Sequence, residues 1–557
     1  MITDLSTHLL IITLCVLLLG WNPYGNNFIL LANGKSSSSC VNILSKPFIP
    51  DLTPTLRNPL RGFASYEDTY ETFTFPQSLE YRYFPLNVLM NSMNNFTFSN
   101  TQNNNRDNLE KYLNDVKKRK RQAILRVYLD YPNCCPDGTY NTGVPSFLFQ
   151  GQNAVTLTPY TEYGGGQSPD YSNERLVSAL EAFIQKLGQH YDGDTRIAYI
   201  QVGLLGYWGE WHTYPNTNQM APLSTRWRVL TAFYNAFNVT KILVSQDSMQ
   251  YFCPPLGNVA FPSIGFHDDA FTDATYSGTT PQDYYFYNRL QSRIPDLNKF
   301  LTQNSTNAKV GAVIGGELYP SNQAKIFKSG WTGQNFKIVF RERIKTSVDE
   351  YQRALNASVL LGYAFTVNDI SLCNATSTSM NLKLNLQNIG SAPFPYPNIT
   401  LLVSLRNGTL TSDTILSTQS VNIIGVTPST GVQTFSLNFQ WSSSYGVKYS
   451  PQVLLRLQSK HVPSEIPIAF AVKGAPTDGS PFVALEDRVQ VSNQDTQPEV
   501  SKSSTQPNTS PKVSTKTSPK TSRGVNNGQA SLAVSDRKQQ GPLATFVCVV
   551  MLLLLFF

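Results

Sequence analysis

The chain has 557 residues, of which 41% are hydrophobic and 15% charged, and its formal net charge is +7. Residues 490–540 carry seven Lys and Arg against three Asp and Glu, so more than half of the net positive charge lies in that segment. The remaining sequence carries a weak, dispersed charge that does not fit a nucleic-acid-binding surface, and we expect no nucleic-acid partner.

Residues 1–34 are predicted to form a secretory signal peptide. The apolar run Leu9–Leu19 is too short to span a bilayer but has the length of the hydrophobic region of such a signal. Cleavage fits either after Gly20 or near Ala32–Gly34, and a buried N-terminal helix is the alternative to a signal. We therefore expect export to an oxidising compartment.

The cysteines outside the two terminal segments are odd in number. They are Cys40, Cys134, Cys135, Cys253 and Cys373. In an oxidising compartment at least one of these thiols has no disulfide partner within the chain. No His or Cys spacing resembles a metal-binding motif, so we expect no metal ion and no cofactor.

Residues 47–372 alternate short apolar runs with longer segments of helical periodicity, which is typical of repeated strand–helix units. The runs predict eight strands at 62–65, 84–90, 123–128, 197–203, 241–245, 263–267, 309–314 and 359–365. Helices are predicted at 107–121, 173–190 with Asn173 as N-cap, 224–238, 284–303 and 346–356. The predicted fold class is α/β, a (β/α)8 TIM barrel with long loops.

Residues 373–489 change to period-two alternation separated by Gly, Pro and Asn, which predicts a small all-β sandwich. The expected strands are 380–386, 399–405, 433–439, 452–457 and 468–472. This domain either packs on the barrel as a structural module or binds glycan.

The C-terminal part of the chain fits a stalk and a lipid-anchor signal. Residues 490–540 are rich in Ser, Thr, Pro, Lys and Gln and bury too little apolar surface to fold. Residues 541–557 end in an uncharged hydrophobic tail that is short for a membrane span. We expect a GPI anchor at Gly528 that holds the protein on the extracellular face of the plasma membrane, with a single-pass anchor as the alternative.

Asn-x-Ser/Thr sequons predict N-glycosylation and surface positions for their asparagines. They are Asn95, Asn238, Asn304, Asn356, Asn374, Asn398, Asn407 and Asn508.

Two glutamates are the candidate catalytic pair. Glu210 follows the fourth predicted strand and Glu317 the seventh, each beside glycines and aromatic residues, where the active sites of such barrels lie. Paired carboxylates can cleave a glycosidic bond, one as the acid and the other as nucleophile or base. Trp208 and Trp211 would desolvate Glu210 and raise its pKa, whereas Arg126 would keep Glu317 ionised. Each glutamate has a purely structural alternative.

Further residues near these strand ends are assigned to substrate binding. They are Arg61, Arg126, Trp208, Trp211, His212, His267, Asp268 and Tyr363. The two tryptophans fit packing under the rim as well as sugar stacking, and Arg61 fits a structural tie to the floor of the barrel. His267 and Asp268 favour hydrogen bonding to substrate over metal binding, because no further ligand set accompanies them.

Five stretches, at 58–63, 201–212, 265–271, 315–317 and 361–363, resemble the family of extracellular proteins with a DUF4874 domain followed by a DUF4832 domain. The resemblance implies a glycosidase-like barrel with a C-terminal β-domain, without a substrate. The matching positions are Arg61, Arg126, Trp208, Glu210, Trp211, His267, Asp268 and Glu317. The positions of the two glutamates also resemble those of retaining β-glycosidases built on this barrel, although Gly209 stands where that clan usually has Asn.

The sequence thus predicts a cell-surface glycoside hydrolase, retaining in mechanism, that acts on extracellular glycans. The alternatives are a non-catalytic carbohydrate-binding or adhesive glycoprotein on the same scaffold and a structural coat component. The distance between the carboxyl groups of Glu210 and Glu317 distinguishes the two hydrolytic mechanisms. Retention needs roughly 5–5.5 Å and inversion roughly 6.5–9.5 Å.

Overall fold

The computed structural model describes residues 42–66, 75–99, 108–133, 142–245, 264–271, 313–318, 336–340, 348–407, 414–447 and 450–485. The predicted signal, stalk and anchor segments, the helix predicted at 284–303 and the sequons at Asn304 and Asn508 lie outside these residues. Within the described ranges, no helix combines the length and the apolar character that a membrane crossing requires.

The strands are, in chain order, β1 (Asn42–Pro47), β2 (Ala64–Tyr66), β3 (Leu79–Pro85), β4 (Met90–Ser92), β5 (Asn95–Phe96), β6 (Gln122–Tyr128), β7 (Leu157–Tyr160), β8 (Gly166–Pro169), β9 (Ile197–Gln201), β10 (Lys241–Ser245), β11 (Gly265–Phe271), β12 (Ile314–Leu318), β13 (Phe336–Phe340), β14 (Phe365–Cys373), β15 (Ser379–Asn388), β16 (Thr400–Arg406), β17 (Ile415–Asn422), β18 (Gln433–Gln440), β19 (Gln452–Gln458) and β20 (Phe482–Leu485). The α-helices are α1 (Leu86–Leu89), α2 (Leu109–Lys118), α3 (Glu174–Tyr191), α4 (Leu223–Ala236) and α5 (Val348–Leu360).

Eight strands pair side by side in parallel in the order β2, β3, β6, β9, β10, β11, β12, β13, and β13 pairs in turn with β2. The longest register, between β3 and β6, runs from Leu79 opposite Gln122 to Pro85 opposite Tyr128. Every residue of β3, β6, β9 and β10 is buried, as expected for parallel strands covered on both faces. The α/β class is therefore confirmed. Described helices follow β3, β6, β9 and β13.

Helix α3 shows how the local sequence determines an element. The side chain of Asn173 accepts hydrogen bonds from the backbone N–H groups of Arg175 and Leu176, and so caps the helix as predicted. Its apolar residues recur at helical spacing and are buried. Gly188 allows α4 to approach closely, because a Cβ at this position would lie 2.4 Å from the carbonyl oxygen of Ala236.

The strand predicted at 359–365 is wrong. Helix α5 extends to Leu360, a buried connection follows, and Phe365 already begins β14, which is antiparallel and outside the ring. The eighth ring strand is β13, at 336–340. In a sequence, a short apolar run looks the same whether it forms a helix end, a buried connection or a strand. Residues 359–365 contain parts of all three.

The second predicted strand, 84–90, is displaced from the observed β3. This strand begins at Leu79, and residues 86–89 are helical. Glu80 and Arg82 make the first half of β3 look polar, yet both are buried. Glu80 lies 2.7 Å from Arg119 and 2.8 Å from Arg121, so its charge is compensated inside the fold.

Two antiparallel four-stranded sheets follow the ring, in the orders β1-β14-β15-β18 and β17-β16-β19-β20. The strands predicted at 380–386, 399–405, 433–439 and 452–457 are confirmed, whereas 468–472 contains only isolated bridges. Strands β1 and β14 extend the first sheet beyond the predicted bounds 373–489. Alternate residues of both sheets enter one hydrophobic core, which also contains ring residues such as Tyr199. The β-domain is thus packed on the ring.

The described sequon asparagines all lie at the surface, as predicted. Asn95, Asn238, Asn356 and Asn374 are exposed, and Asn398 and Asn407 are half-buried. Glycosylation at these positions stays a prediction. Cys373, at the end of β14, is disulfide-bonded.

Candidate active site

A cluster of polar side chains lies where the ring strands end. It combines Tyr81 and Tyr83 of β3, Arg126 of β6, Gln201 of β9, His267 and Asp269 of β11, and Glu317 of β12 with Glu210 from the loop after β9. Because the carboxyl ends of parallel strands meet at one end of a ring, residues far apart in the sequence come into contact there.

Arg126 is at the centre of this cluster and is fully buried. Its Nη1 lies 3.3 Å from Glu210 Oε1 and donates to the Tyr83 hydroxyl at 2.8 Å, and its Nη2 donates to Asp269 Oδ1 at 2.5 Å. Nε donates to Gln201 Oε1 at 2.8 Å. Burial lowers the pKa of Arg126, but the surrounding acidic groups outweigh it and the net effect raises that pKa. Arg126 therefore remains a fixed positive charge.

Three carboxylates surround this guanidinium. One oxygen each from Glu210, Asp269 and Glu317 lies within 4.8 Å of the other two. The predicted catalytic pair is therefore brought together, with one carboxyl oxygen of Glu210 within 4.8 Å of one of Glu317. Such a trio has the spacing of a cation site, but Arg126 already supplies the positive charge at its centre.

Glu210 has the properties expected of an acid. Burial, and then the negative charge of Asp269, raise its pKa to about 7, against the opposing effects of His212 and Arg126. His212 Nδ1 accepts the backbone N–H of Tyr214 at 3.3 Å, so the ring proton is on Nε2, which lies 3.3 Å from Glu210 Oε2. The direction of the expected shift is confirmed. His212 belongs to the site, as predicted.

Asp269 is the ionised member of the cluster. Burial raises its pKa, but the charges of Arg126 and His267 outweigh burial and hold that pKa well below its usual range. His267 Nδ1 lies 2.9 Å from Asp269 Oδ1, and burial lowers the pKa of this imidazole. Asp268 was predicted to bind substrate, but residues two apart on a strand share a face. His267 and Asp269 both contact Arg126, so Asp268 lies on the opposite face.

Glu317 is held by Tyr83, a residue that was not predicted from the sequence. The Tyr83 hydroxyl donates to Glu317 Oε1 at 2.5 Å, and Arg126 Nη1 lies 4.0 Å from the same oxygen. Burial raises the pKa of Tyr83 well above its usual value, so the hydroxyl keeps its proton. Tyr81 donates to Gln201 Oε1 at 2.5 Å. Both tyrosines were missed because the second strand was predicted to begin at residue 84. Their i, i+2 spacing was the signal that could have indicated one face of a strand.

The loop 203–212 after β9 presents Glu210 in a strained conformation. Leu204, Trp208 and Trp211 have φ values of 71°, 53° and 65°, a region that non-glycine residues rarely occupy. Gly203 is required by space, since a Cβ there would lie 2.1 Å from the carbonyl oxygen of Val127. Strain of this kind is typical of functional sites.

The two tryptophans of this loop have different roles. Trp211 is fully buried, and its Nε1 donates to the carbonyl oxygen of Val202 at 2.8 Å. Its predicted role in substrate binding is wrong, and the alternative of packing under the rim is correct. Trp208 is half-buried, with its ring 6.0 Å from that of His212, and so remains a candidate for binding sugar.

Arg61 and Tyr363 are not part of the site. Arg61 is buried before β2, at the opposite end of the ring, where its guanidinium donates to backbone carbonyls such as that of Ser358. Tyr363 is buried and donates to the carbonyl oxygen of Pro59 at 3.0 Å. Their assignment to substrate binding is corrected, and for Arg61 the alternative of a structural tie holds. Neighbouring glycines allow this close packing, since a Cβ on Gly62 would lie 3.2 Å from Ser358 Oγ and one on Gly362 would lie 2.5 Å from the Cβ of Arg61.

No family model and no curated protein matches this chain. The resemblance to the DUF4874–DUF4832 family stays a prediction. Solved structures similar to the chain include an endo-glycoceramidase II from Rhodococcus sp., with 10% identity, a TM-score of 0.34, and coverage of 69% of this chain and 98% of that one. A family 39 glycoside hydrolase from Bacteroides cellulosilyticus WH2 has 11% identity, a TM-score of 0.34, and coverage of 69% and 82%.

A xyloglucan-specific endo-β-1,4-glucanase of family GH5 from a metagenomic library has 11% identity and a TM-score of 0.32, and covers 55% of this chain and 98% of that one. Similarities of this size do not indicate what the chain acts on. The function has to be inferred from the geometry of its own residues.

Proposed function

We propose that the ring and its helices form a (β/α)8 barrel that hydrolyses glycosidic bonds with retention of configuration. The observation that carries the proposal is the close pairing of Glu210 with Glu317 in different environments. Glu210 has a pKa raised to about 7, whereas Glu317 lies beside Arg126 and accepts a hydrogen bond from Tyr83. Double displacement uses carboxyl groups about 5–5.5 Å apart, and one oxygen of Glu210 lies within 4.8 Å of one of Glu317.

In the first step, a carboxylate oxygen of Glu317 attacks the anomeric carbon. The bond from that carbon to the leaving-group oxygen breaks, and Glu210 transfers its proton to this oxygen. In the second step, Glu210, now a carboxylate, removes a proton from water. The resulting nucleophile attacks the anomeric carbon and releases Glu317. Arg126 stabilises both carboxylates without itself exchanging a proton.

The substrate is a glycan outside the cell if the signal peptide and the GPI anchor predicted from the sequence are present. That location depends on terminal segments and not on the site. Carbohydrate binding without cleavage is the competing function.

The test uses a panel of poly- and oligosaccharides with the wild-type protein, Glu210→Gln and Glu317→Gln. Each substitution removes a group that acts in the transition state, so we expect a loss in kcat of about 10²–10⁴ or more. Glu181→Gln, at a half-buried position of α3 where Glu181 pairs with Arg228, is the control and should retain full activity. NMR of the first-formed product should show the anomeric configuration of the substrate. Inversion, or undiminished activity in Glu210→Gln, would contradict the proposal.

A further inference from the structure

A β-hairpin stands beside the candidate site and is fastened to the strand that carries Arg126. The hairpin consists of β7 and β8. The hydroxyl groups of Tyr160 and Ser168, one from each strand, donate to the two carboxyl oxygens of Asp130 at 2.7 Å each. Asp130 is buried and follows β6 closely. The hairpin therefore has a fixed position relative to Arg126.

The turn of this hairpin presents an aromatic ring to solvent. Tyr163 is 47% exposed and has a φ of 53°. Both sides of the turn are held, since Asn133 N–H donates to the carbonyl oxygen of Gly165 at 2.8 Å and Asn216 Nδ2 donates to Glu162 Oε2 at 2.7 Å. A strained backbone that exposes a large ring on a fixed turn points to a role outside folding.

Aromatic rings connect Tyr163 with the catalytic pair. The ring of Tyr163 lies 5.1 Å from that of Trp208, which lies 6.0 Å from that of His212. Trp208 also lies 6.4 Å from Tyr131, and Tyr131 lies 5.7 Å from Tyr83. His212 contacts Glu210. Along these contacts Trp208 reaches Glu210 through one residue, His212, and Glu317 through two, Tyr131 and Tyr83.

We propose that Tyr163 and Trp208 form the subsite that binds the leaving-group sugar. The proposal rests on the proposed function, in which Glu210 protonates the leaving oxygen, so that the surface beside Glu210 and His212 faces the leaving group. Aromatic rings give apolar contact area at low entropic cost and suit the C–H face of a pyranose. The substrate class is then an oligo- or polysaccharide that continues beyond the scissile bond, rather than the glycoside of a small alcohol.

Binding is tested by calorimetric titration of the Glu317→Gln protein with cellohexaose, laminarihexaose, xylohexaose and mannohexaose. We expect at least one hexasaccharide to bind, Tyr163→Ala to weaken that binding about tenfold, and Tyr163→Phe to preserve it, because the ring and not the hydroxyl group provides the stacking surface. Tyr445→Ala, which removes an exposed tyrosine in the β-domain, is the control. Absence of binding by all four, or equal binding by Tyr163→Ala, would overturn the subsite.

Kinetic measurements on two substrates test the subsite separately from the proposed hydrolase activity. A glycosyl fluoride has a leaving group too small to reach Tyr163, so its kcat/KM should be unchanged in Tyr163→Ala, while the kcat/KM for the hexasaccharide falls about tenfold. Equal effects on both substrates would overturn the subsite and leave the hydrolase intact. Tyr163-dependent binding with no hydrolysis of either substrate would remove the hydrolase and retain a carbohydrate-binding surface.

Discussion

At the scale of single residues, the balance of charges around Glu210 determines how the site responds to pH. Burial and Asp269 favour the protonated form, whereas His212 and Arg126 favour the carboxylate, and the result is a pKa of about 7. An acid must be protonated to donate, so kcat/KM should fall as the pH rises through this pKa. The group that is easiest to remove from this balance is His212.

Replacement of His212 by Ala should move the alkaline limb of the pH profile to higher pH. His212 donates to the carboxylate of Glu210 and lowers its pKa, so its loss favours the protonated form. The measurement is kcat/KM against pH on a substrate found in the glycan panel. His190→Ala, an exposed histidine on α3, should leave the profile unchanged. A limb that stays in place or moves to lower pH in His212→Ala would show that this hydrogen bond does not tune the acid.

Of the residues that the sequence assigned to the site, Glu210, Glu317, Arg126, His212 and His267 lie in one cluster in the structure. Glycine and aromatic neighbours marked the two glutamates. The prediction missed Asp269 by one position. Two adjacent residues of a strand lie on opposite faces, so only one residue of an Asp-Asp pair can face Arg126. The contacts of His267 and Asp269 with Arg126 show that this residue is Asp269. Tyr83 was missed because its strand begins with buried charges that the sequence pattern does not distinguish from exposed ones.

At the scale of elements, the loop 203–212 is built around backbone contacts that leave no room for a side chain at two glycines. Gly203 faces the carbonyl oxygen of Val127, and a Cβ on Gly206 would lie 2.4 Å from that of His212. The same turns place Glu210 beside Arg126. The position of the Glu210 carboxyl group therefore depends on two glycines elsewhere in the loop, Gly203 and Gly206.

Gly203→Ala should lower both stability and activity. The added methyl group would have to displace the backbone of β6, which costs about 1–3 kcal/mol in the free energy of unfolding and shifts Glu210 from its partners. Urea denaturation and kcat measure the two effects. Gly425→Ala, where nothing lies within 4 Å of the added carbon, should change stability by less than about 0.5 kcal/mol. A Gly203→Ala protein with unchanged kcat would show that the loop tolerates displacement.

The elements that the sequence predicted well are those with a complete local signal. Helix α3 has a capping asparagine, a regular apolar stripe and 18 residues, and its prediction is accurate to one residue at each end. The eighth ring strand had none of these signals. The apolar run 359–365 was predicted in its place, and this run covers the end of α5 and the start of β14. Strand pairing decides such cases, and pairing is a long-range property.

At the scale of the whole molecule, the ring and the antiparallel sheets share one hydrophobic core and several buried polar contacts. The Tyr396 hydroxyl donates to the carbonyl oxygen of Ala198 in β9 at 2.7 Å. Asn58 makes two hydrogen bonds with the backbone of Ala469, donating from Nδ2 at 2.9 Å and accepting at Oδ1 at 2.8 Å. These contacts lie at the end of the ring opposite the site, so the β-domain supports the ring without reaching the catalytic pair.

Asn58→Ala tests whether the two parts unfold together. Removal of this buried side chain leaves the N–H and carbonyl of Ala469 without those partners, which should lower the free energy of unfolding by about 2–4 kcal/mol. Because ring residues share a hydrophobic core with both antiparallel sheets, calorimetry of the full chain should show one transition that moves as a whole to lower temperature. Asn438→Ala, at an exposed position of β18, should leave that transition in place. Two transitions, of which only one responds to Asn58→Ala, would contradict this expectation. The ring would then be stable without the β-domain, and the shared core would not be required for its stability.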